Sequence, residues 1–273
     1  MTKPESVCRS PWKYDIAPFH IADNVYYVGN QSVSVHLFDT GDGLLLLDTA
    51  YPQTAYLLLE SIRNAGFDPQ NIRWILHTHA HIDHFGATRM LTEKYGCKTY
   101  MPESDVVYLN EHPEFNWCAE LDIPYTPPYD TWFHVDHKVK NGDVLTFGNT
   151  TVTAYSAAGH TPGTMAYVFQ LPGGLRAAMH GGIGWNTLTS AYSKKMNLDK
   201  TWRENYIASM NNLADLEVDI VLGNHPNQSH TFQKQAAKTN ENNPFIDKTE
   251  WNTFIRNTRD SALEMFEKDP IIP

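Results

Sequence analysis

Six consecutive residues, His79-Ala80-His81-Ile82-Asp83-His84, place three imidazoles and one carboxylate side by side. Groups of this kind are costly to bury without polar partners, so such a density has no packing purpose. Neutral imidazole and carboxylate are both good zinc donors. Two distant segments repeat the theme. Gly159-His160-Thr161-Pro162-Gly163 follows the apolar run Thr151-Val152-Thr153-Ala154-Tyr155, and Gly223-Asn224-His225-Pro226 follows Asp219-Ile220-Val221-Leu222. A lone histidine is more often a hydrogen-bonded structural residue than a ligand. Three histidine-bearing strand ends in one chain point instead to a shared metal centre.

The elements that must hold these residues are a mixture of strands and helices. Residues 25–28, 33–38 and 44–48 read as strands, with Gly41-Asp42-Gly43 as the turn between the last two. Pro52 opens a helix to about Asn64 whose apolar side carries Leu57, Leu58 and Ile62. The strand Trp74-Ile75-Leu76 leads into the histidine run, and one helix is expected from Asp83 to Lys94. A strand over Lys98–Met101 and a short helix from Pro102 to about Asn110 follow. Strands at 144–147 and 150–155 form a hairpin around Gly148-Asn149, and strands at 164–170 and 175–180 flank Pro172-Gly173-Gly174. Helices are expected over 199–214 and 247–267. The second of these carries Trp251, Phe254, Ile255, Met265 and Phe266 as a stripe that suits core packing. The segment from about 111 to 141 is irregular and rich in aromatics and prolines. A loop of this length in a compact domain is usually functional or disordered, and its aromatics argue against disorder. The reading is one wall of a substrate pocket, the alternative a flap that only packs on the domain.

The ordered set of motifs resembles the metallo-β-lactamase superfamily. The similarity covers nearly the whole chain: Ala22 to Gly29 resembles its opening strand, Gly43 to Thr49 its loop, apolar strand and Asp-Thr segment, and the three histidine segments its ligand motifs. The resemblance implies an αββα sandwich, two mixed sheets flanked by helices, as a single domain over 1–273. Relatives of the lactonase and glyoxalase II type carry an aspartate between the last two ligand motifs, and first-subclass lactamases a cysteine. Here that strand reads Leu175 to His180 and runs into Gly181-Gly182-Ile183-Gly184-Trp185-Asn186, with neither. This resembles the third subclass. Carried over position by position, the resemblance implies one zinc on His79, His81 and His160 and a second on Asp83, His84 and His225, with a bridging hydroxide. Asp83 would both ligate and orient that hydroxide, which makes it the catalytic residue. Asp48 and Thr78 are candidates for fixing imidazole tautomers. Third-subclass members usually have serine where this chain has Gly182. Gly182, Trp117 and Trp132 are the candidate substrate contacts, and Gln31-Ser32-Val33-Ser34 a candidate opposite rim.

The remaining histidines lack such motifs. His180 reads as a buried, hydrogen-bonded residue, with ligation or substrate contact as the alternative. His77 reads as a strand-end hydrogen bonder, and His20, His36, His112, His134, His137 and His230 as surface residues. A net charge of −10 argues against electrostatic binding of nucleic acid. Cys8, Cys97 and Cys118 have no metal-site spacing and read as reduced thiols. No apolar run approaches membrane-spanning length, and Met1 to Ser6 lacks the apolar core of a secretory signal. The expectation is a cytoplasmic protein, or else the mature form of an exported one; the former sits poorly with antibiotic defence as the native role. The expected activity is opening of a β-lactam or similar cyclic amide by a dizinc hydrolase acting on a small molecule, with lactone or thioester hydrolysis as the alternative. An iron oxidoreductase is disfavoured, because iron-oxygen members of the family keep the bridging aspartate.

Overall fold

The computed structural model describes residues 6–112 and 131–271. Seven strands form the first sheet: β1 (Phe19–Ala22), β2 (Val25–Tyr27), β3 (His36–Asp39), β4 (Leu44–Leu47), β5 (Ile72–Leu76), β6 (Lys98–Pro102) and β7 (His137–Val139), in that spatial order. β1 to β4 run as an antiparallel meander, and β4 to β7 pair in parallel. The second sheet has the order β12-β11-β10-β9-β8, built from β8 (Val144–Phe147), β9 (Thr150–Ser156), β10 (Met165–Gln170), β11 (Arg176–His180) and β12 (Ile220–Val221). Only β11 and β12 pair in parallel there.

The apolar pattern explains the layering. β9 alternates buried and partly exposed residues, so one face is covered. All four residues of β4 are buried, as a strand covered on both faces requires. Between the sheets, Tyr27, Phe38, Leu45 and Leu76 meet Val152, Tyr167, Phe169 and Met179. Phe38 and Phe169 stack across that interface with ring centroids 4.4 Å apart. On the outer face of the first sheet, Leu37, Leu46 and Ile75 pack on α1 (Ala55–Asn64) and α3 (Thr88–Tyr95). On the outer face of the second, Ala166, Val168 and Ala178 pack on α6 (Thr201–Leu213) and α8 (Glu250–Lys268). The arrangement is the expected αββα sandwich.

Several details differ from the expectations. The helix expected from Asp83 to Lys94 is two pieces, α2 (Ile82–Phe85) and α3. The break falls at Gly86-Ala87, where Gly86 lies so close to Pro52 that a Cβ would come within 2.3 Å of its Cδ. β3 begins at His36 rather than residue 33, because the Asn30 side chain folds the preceding residues into a turn by accepting from Ser32 N and Val33 N. β1, β7, α5 (Ser190–Met196) and α7 (Thr231–Ala237) lacked a periodic signal strong enough to read. α4 (Glu103–Glu111) matches the short expected helix, and the irregular segment beyond it falls largely outside the described residues. Among the described residues, no helix is long and apolar enough to cross a membrane.

α8 closes the outer face through Trp251, which is fully buried and donates from Nε1 to Leu213 O at 2.8 Å. Trp251→Ala is expected to lower stability by about 3–5 kcal/mol, the usual cost of emptying such a site. Urea denaturation checks this, and a loss below about 1 kcal/mol would mean that α8 does not seal the core.

Candidate metal centre

Every metal-capable residue singled out in the sequence sits where a strand of one or other sheet ends. The histidine run leaves β5, the His160 loop leaves β9, Gly181 to Gly184 leave β11, and His225 leaves the β12 segment. The sandwich therefore delivers residues far apart in sequence to one edge. Donor atoms of His79, His81 and His160 lie within 4.8 Å of one another, and so do those of Asp83, His84 and His225. The two groups share a wall, since the His79 and His84 rings are 4.3 Å apart between centroids.

The hydrogen bonds around the rings fix which nitrogens face inward. His160 Nδ1 lies 2.8 Å from Gly184 O, and His225 Nδ1 lies 2.8 Å from Ser32 O. A carbonyl only accepts, so both Nδ1 atoms carry the proton and both Nε2 atoms present lone pairs. His84 Nδ1 donates to Asp48 Oδ2 at 2.7 Å. The same Asp48 oxygen accepts from Thr78 Oγ at 2.7 Å, which leaves that hydroxyl to accept from His79 Nδ1 at 3.0 Å. Asp48 Oδ1 accepts from Thr78 N at 2.8 Å. One fully buried carboxylate thus sets a ring in each group, as anticipated for Asp48 and Thr78.

The donor spacing fits small divalent ions. Four-coordinate zinc with bonds of about 2.0–2.2 Å places neighbouring donors roughly 3.3–3.6 Å apart. His79 Nε2 and His81 Nδ1 are 3.1 Å apart. Asp83 Oδ2 lies 3.4 Å from His84 Nε2 and 3.6 Å from His225 Nε2. Three donors in each group leave a fourth position for water or substrate, the pattern of a catalytic rather than a structural site.

Electrostatics separates the groups. Burial pushes His79 and His160 well below the usual imidazole range, His81 to about 4, and His225 down as well. These rings are neutral at pH 7. Burial opposes charge on His84 too, but Asp83 and Asp48 on either side outweigh it and hold the ring at about 10. Burial likewise opposes the Asp83 anion, and the His84 cation beside it holds the carboxyl below its usual range.

Among the other residues singled out, Gly182 lies beside the site in an unexpected way. A Cβ there would fall 2.4 Å from Cδ2 of His160, and one on Gly184 would fall 3.1 Å from its Cε1. The two glycines are the channel through which the His160 ring passes, so a serine at 182 has no room here. His180 is buried and belongs to neither group; its Nδ1 accepts from Gly182 N at 3.2 Å. That matches the hydrogen-bonded reading rather than ligation. His77 bonds Thr88 Oγ through Nε2 at 3.2 Å. His36, expected at the surface, is buried edge-on against the Tyr27 ring because β3 is an interior strand. Trp132 is 46 % exposed, and Trp117 and Cys118 lie outside the described residues. Of the expected rim, Ser32 reaches the centre through its carbonyl.

Two outcomes follow. Zinc entering the second group must displace the His84 Nε2 proton, because that ring stays protonated up to about pH 10. Uptake there should release about one proton and tighten roughly tenfold for each unit that pH rises towards that value, whereas the first group releases almost none. Calorimetric titrations in buffers of different ionisation enthalpy read this directly, and equal release at both groups would contradict the assignment. Gly182→Ser should push His160 aside and weaken zinc binding at the first group by about 10–100-fold. A serine variant with unchanged affinity would show that the ring has space to spare.

The sequence model of the metallo-beta-lactamase superfamily matches residues 28–177. The fold is similar to the crystal structure of BJP-1, a subclass B3 metallo-beta-lactamase of Bradyrhizobium japonicum. That similarity has a TM-score of 0.83 and 26 % identity, and covers 96 % of this chain and 98 % of the other. A ribonuclease of Thermus thermophilus is 30 % identical over 161 residues, covering 57 % of this chain and 35 % of that protein. A hydroxyacylglutathione hydrolase of a Bradyrhizobium species is 30 % identical over 95 residues, covering 35 % and 28 % respectively. The chain thus spans about a third of the length of these two curated relatives. The sheet order, the histidine segments gathered at one sandwich edge and the family match agree, and the chain belongs to the metallo-beta-lactamase superfamily.

Proposed function

We propose that this chain is a dizinc hydrolase of the B3 metallo-β-lactamase type, which opens a β-lactam or similar cyclic amide. The observation that carries the reading is the pair of adjacent three-donor groups, each with a zinc-like spacing and an open position. His79, His81 and His160 would hold one ion, and Asp83, His84 and His225 the other. When bound, such ions polarise a carbonyl and bring the pKa of a water to near neutrality. The chain's own contribution is orientation. The Gly184 and Ser32 carbonyls lock the His160 and His225 rings with their lone pairs inward, and Asp48 aims His84 Nε2 the same way, to donate once its proton leaves. Asp83, held ionised beside His84, offers a carboxylate that aligns the attacking water. Hydrolysis then adds a hydroxyl to the carbonyl carbon and a proton to the released nitrogen. A small molecule suits the site better than nucleic acid, given a net charge of −10.

Lactone or thioester hydrolysis is the second reading. Gly182 favours it, because the position offers no hydroxyl for a substrate carboxylate and has no room for one. The local similarity to a hydroxyacylglutathione hydrolase points the same way.

Turnover of a chromogenic cephalosporin, an acyl homoserine lactone and S-lactoylglutathione by the zinc-loaded chain separates the two readings. The first predicts chelator-sensitive cephalosporin hydrolysis that His160→Ala reduces to background. Turnover of the lactone or thioester alone would replace it with the second. Activity that survives His160→Ala would show that the chemistry lies elsewhere.

A further inference from the structure

Asp105 lies in the first turn of α4 and is fully buried. Its Oδ2 accepts from Ala80 N and from Thr161 Oγ, each at 2.7 Å, and its Oδ1 accepts from Gly163 N at 2.6 Å. No charged side chain contributes to its environment among the described residues; burial and these three donors define it. Ala80 is the residue between His79 and His81, and Thr161 is the residue after His160. One carboxylate therefore grips the backbones of the two loops that supply the whole first donor group.

The surroundings are shaped for this contact. Thr161 gives its hydroxyl proton to Asp105, so the Thr164 hydroxyl, 2.7 Å away, donates to Thr161 Oγ and in turn accepts from Thr161 N at 2.9 Å. A Cβ on Gly163 would lie 2.5 Å from Asp105 N and 2.7 Å from its carboxyl oxygen. Only glycine lets the His160 loop settle this closely on α4. The second group receives nothing comparable from Asp105: His225 is held by Ser32, and His84 by Asp48.

We propose that Asp105 is a positioning residue for the first donor group, a buried anionic clip that sets the distance between the His79–His81 loop and the His160 loop and so tunes metal affinity at that group alone. The proposal rests on the dizinc reading of the two groups. It differs from the role of Asp48, which orients rings in both. Asparagine has nearly the same shape but only one acceptor oxygen. Against three donors, its amide nitrogen must face at least one N–H or O–H, and the clip loosens.

The test is competitive zinc titration of the full chain against a chelator, with His160→Ala and His225→Ala identifying the two affinity classes. Asp105→Asn should weaken the class that His160→Ala abolishes by about 10–100-fold, the usual cost of losing an outer partner, and leave the class that His225→Ala abolishes unchanged. Thr161→Val, which removes one bond of the three, should weaken the same class by less. Urea denaturation of the metal-free variants reports on folding separately. Unchanged affinity in both classes overturns the proposal. So does a parallel loss in both that follows the loss of stability, because that is what a purely structural carboxylate would give. A wild-type chain that takes up no zinc overturns the dizinc reading and this proposal together, whereas two zincs in the wild type with no selective loss in Asp105→Asn overturns the proposal alone.

Discussion

The centre depends on a single buried carboxylate, Asp48, at the end of β4. It accepts from Thr78 N, Thr78 Oγ and the protonated His84 ring at Nδ1 all at once. Its backbone adopts the left-handed conformation, with φ 64, which few residues other than glycine, asparagine and aspartate take readily. That geometry turns the chain out of β4 so that the side chain reaches across to the end of β5. Through Thr78 it fixes His79, and directly it fixes His84. Both donor groups therefore owe the orientation of one ring to the same residue.

Burial gives this arrangement its chemical bias. Withdrawing His79, His81 and His160 from water keeps them neutral and ready to donate lone pairs. Placing His84 between Asp48 and Asp83 does the opposite and stores a proton in the second group. The two groups are thus unequal despite similar geometry. The first is preorganised by backbone clamps, the two glycines around His160 and the Asp105 contacts. The second is organised by charge.

Much of this was legible in the sequence because the signals are local. His79 to His84 declares itself by density, and the apolar runs before His160 and His225 declare strand ends. Asp48 could be marked because it closes an unbroken apolar strand. The long-range facts were not legible. Asp105 is one acidic residue in a helix's first turn, where acidic residues are ordinary, and only the fold shows that Ala80, Thr161 and Gly163 converge on it. Gly182 looked like the loss of a serine hydroxyl; in three dimensions it is the space that the His160 ring occupies. His36 carried no pattern because its burial follows from β3 being interior, a property of sheet order rather than of neighbours in sequence. The break at Gly86 likewise depends on Pro52, thirty-four positions earlier.

The most direct measurement is the anomalous scattering of zinc in crystals of the metal-loaded chain. The account predicts two peaks. One should lie about 2.0–2.2 Å from His79 Nε2, His81 Nδ1 and His160 Nε2, and the other at the same distance from Asp83, His84 Nε2 and His225 Nε2. A single peak, or a second peak bound away from Asp83 and His225, would contradict it.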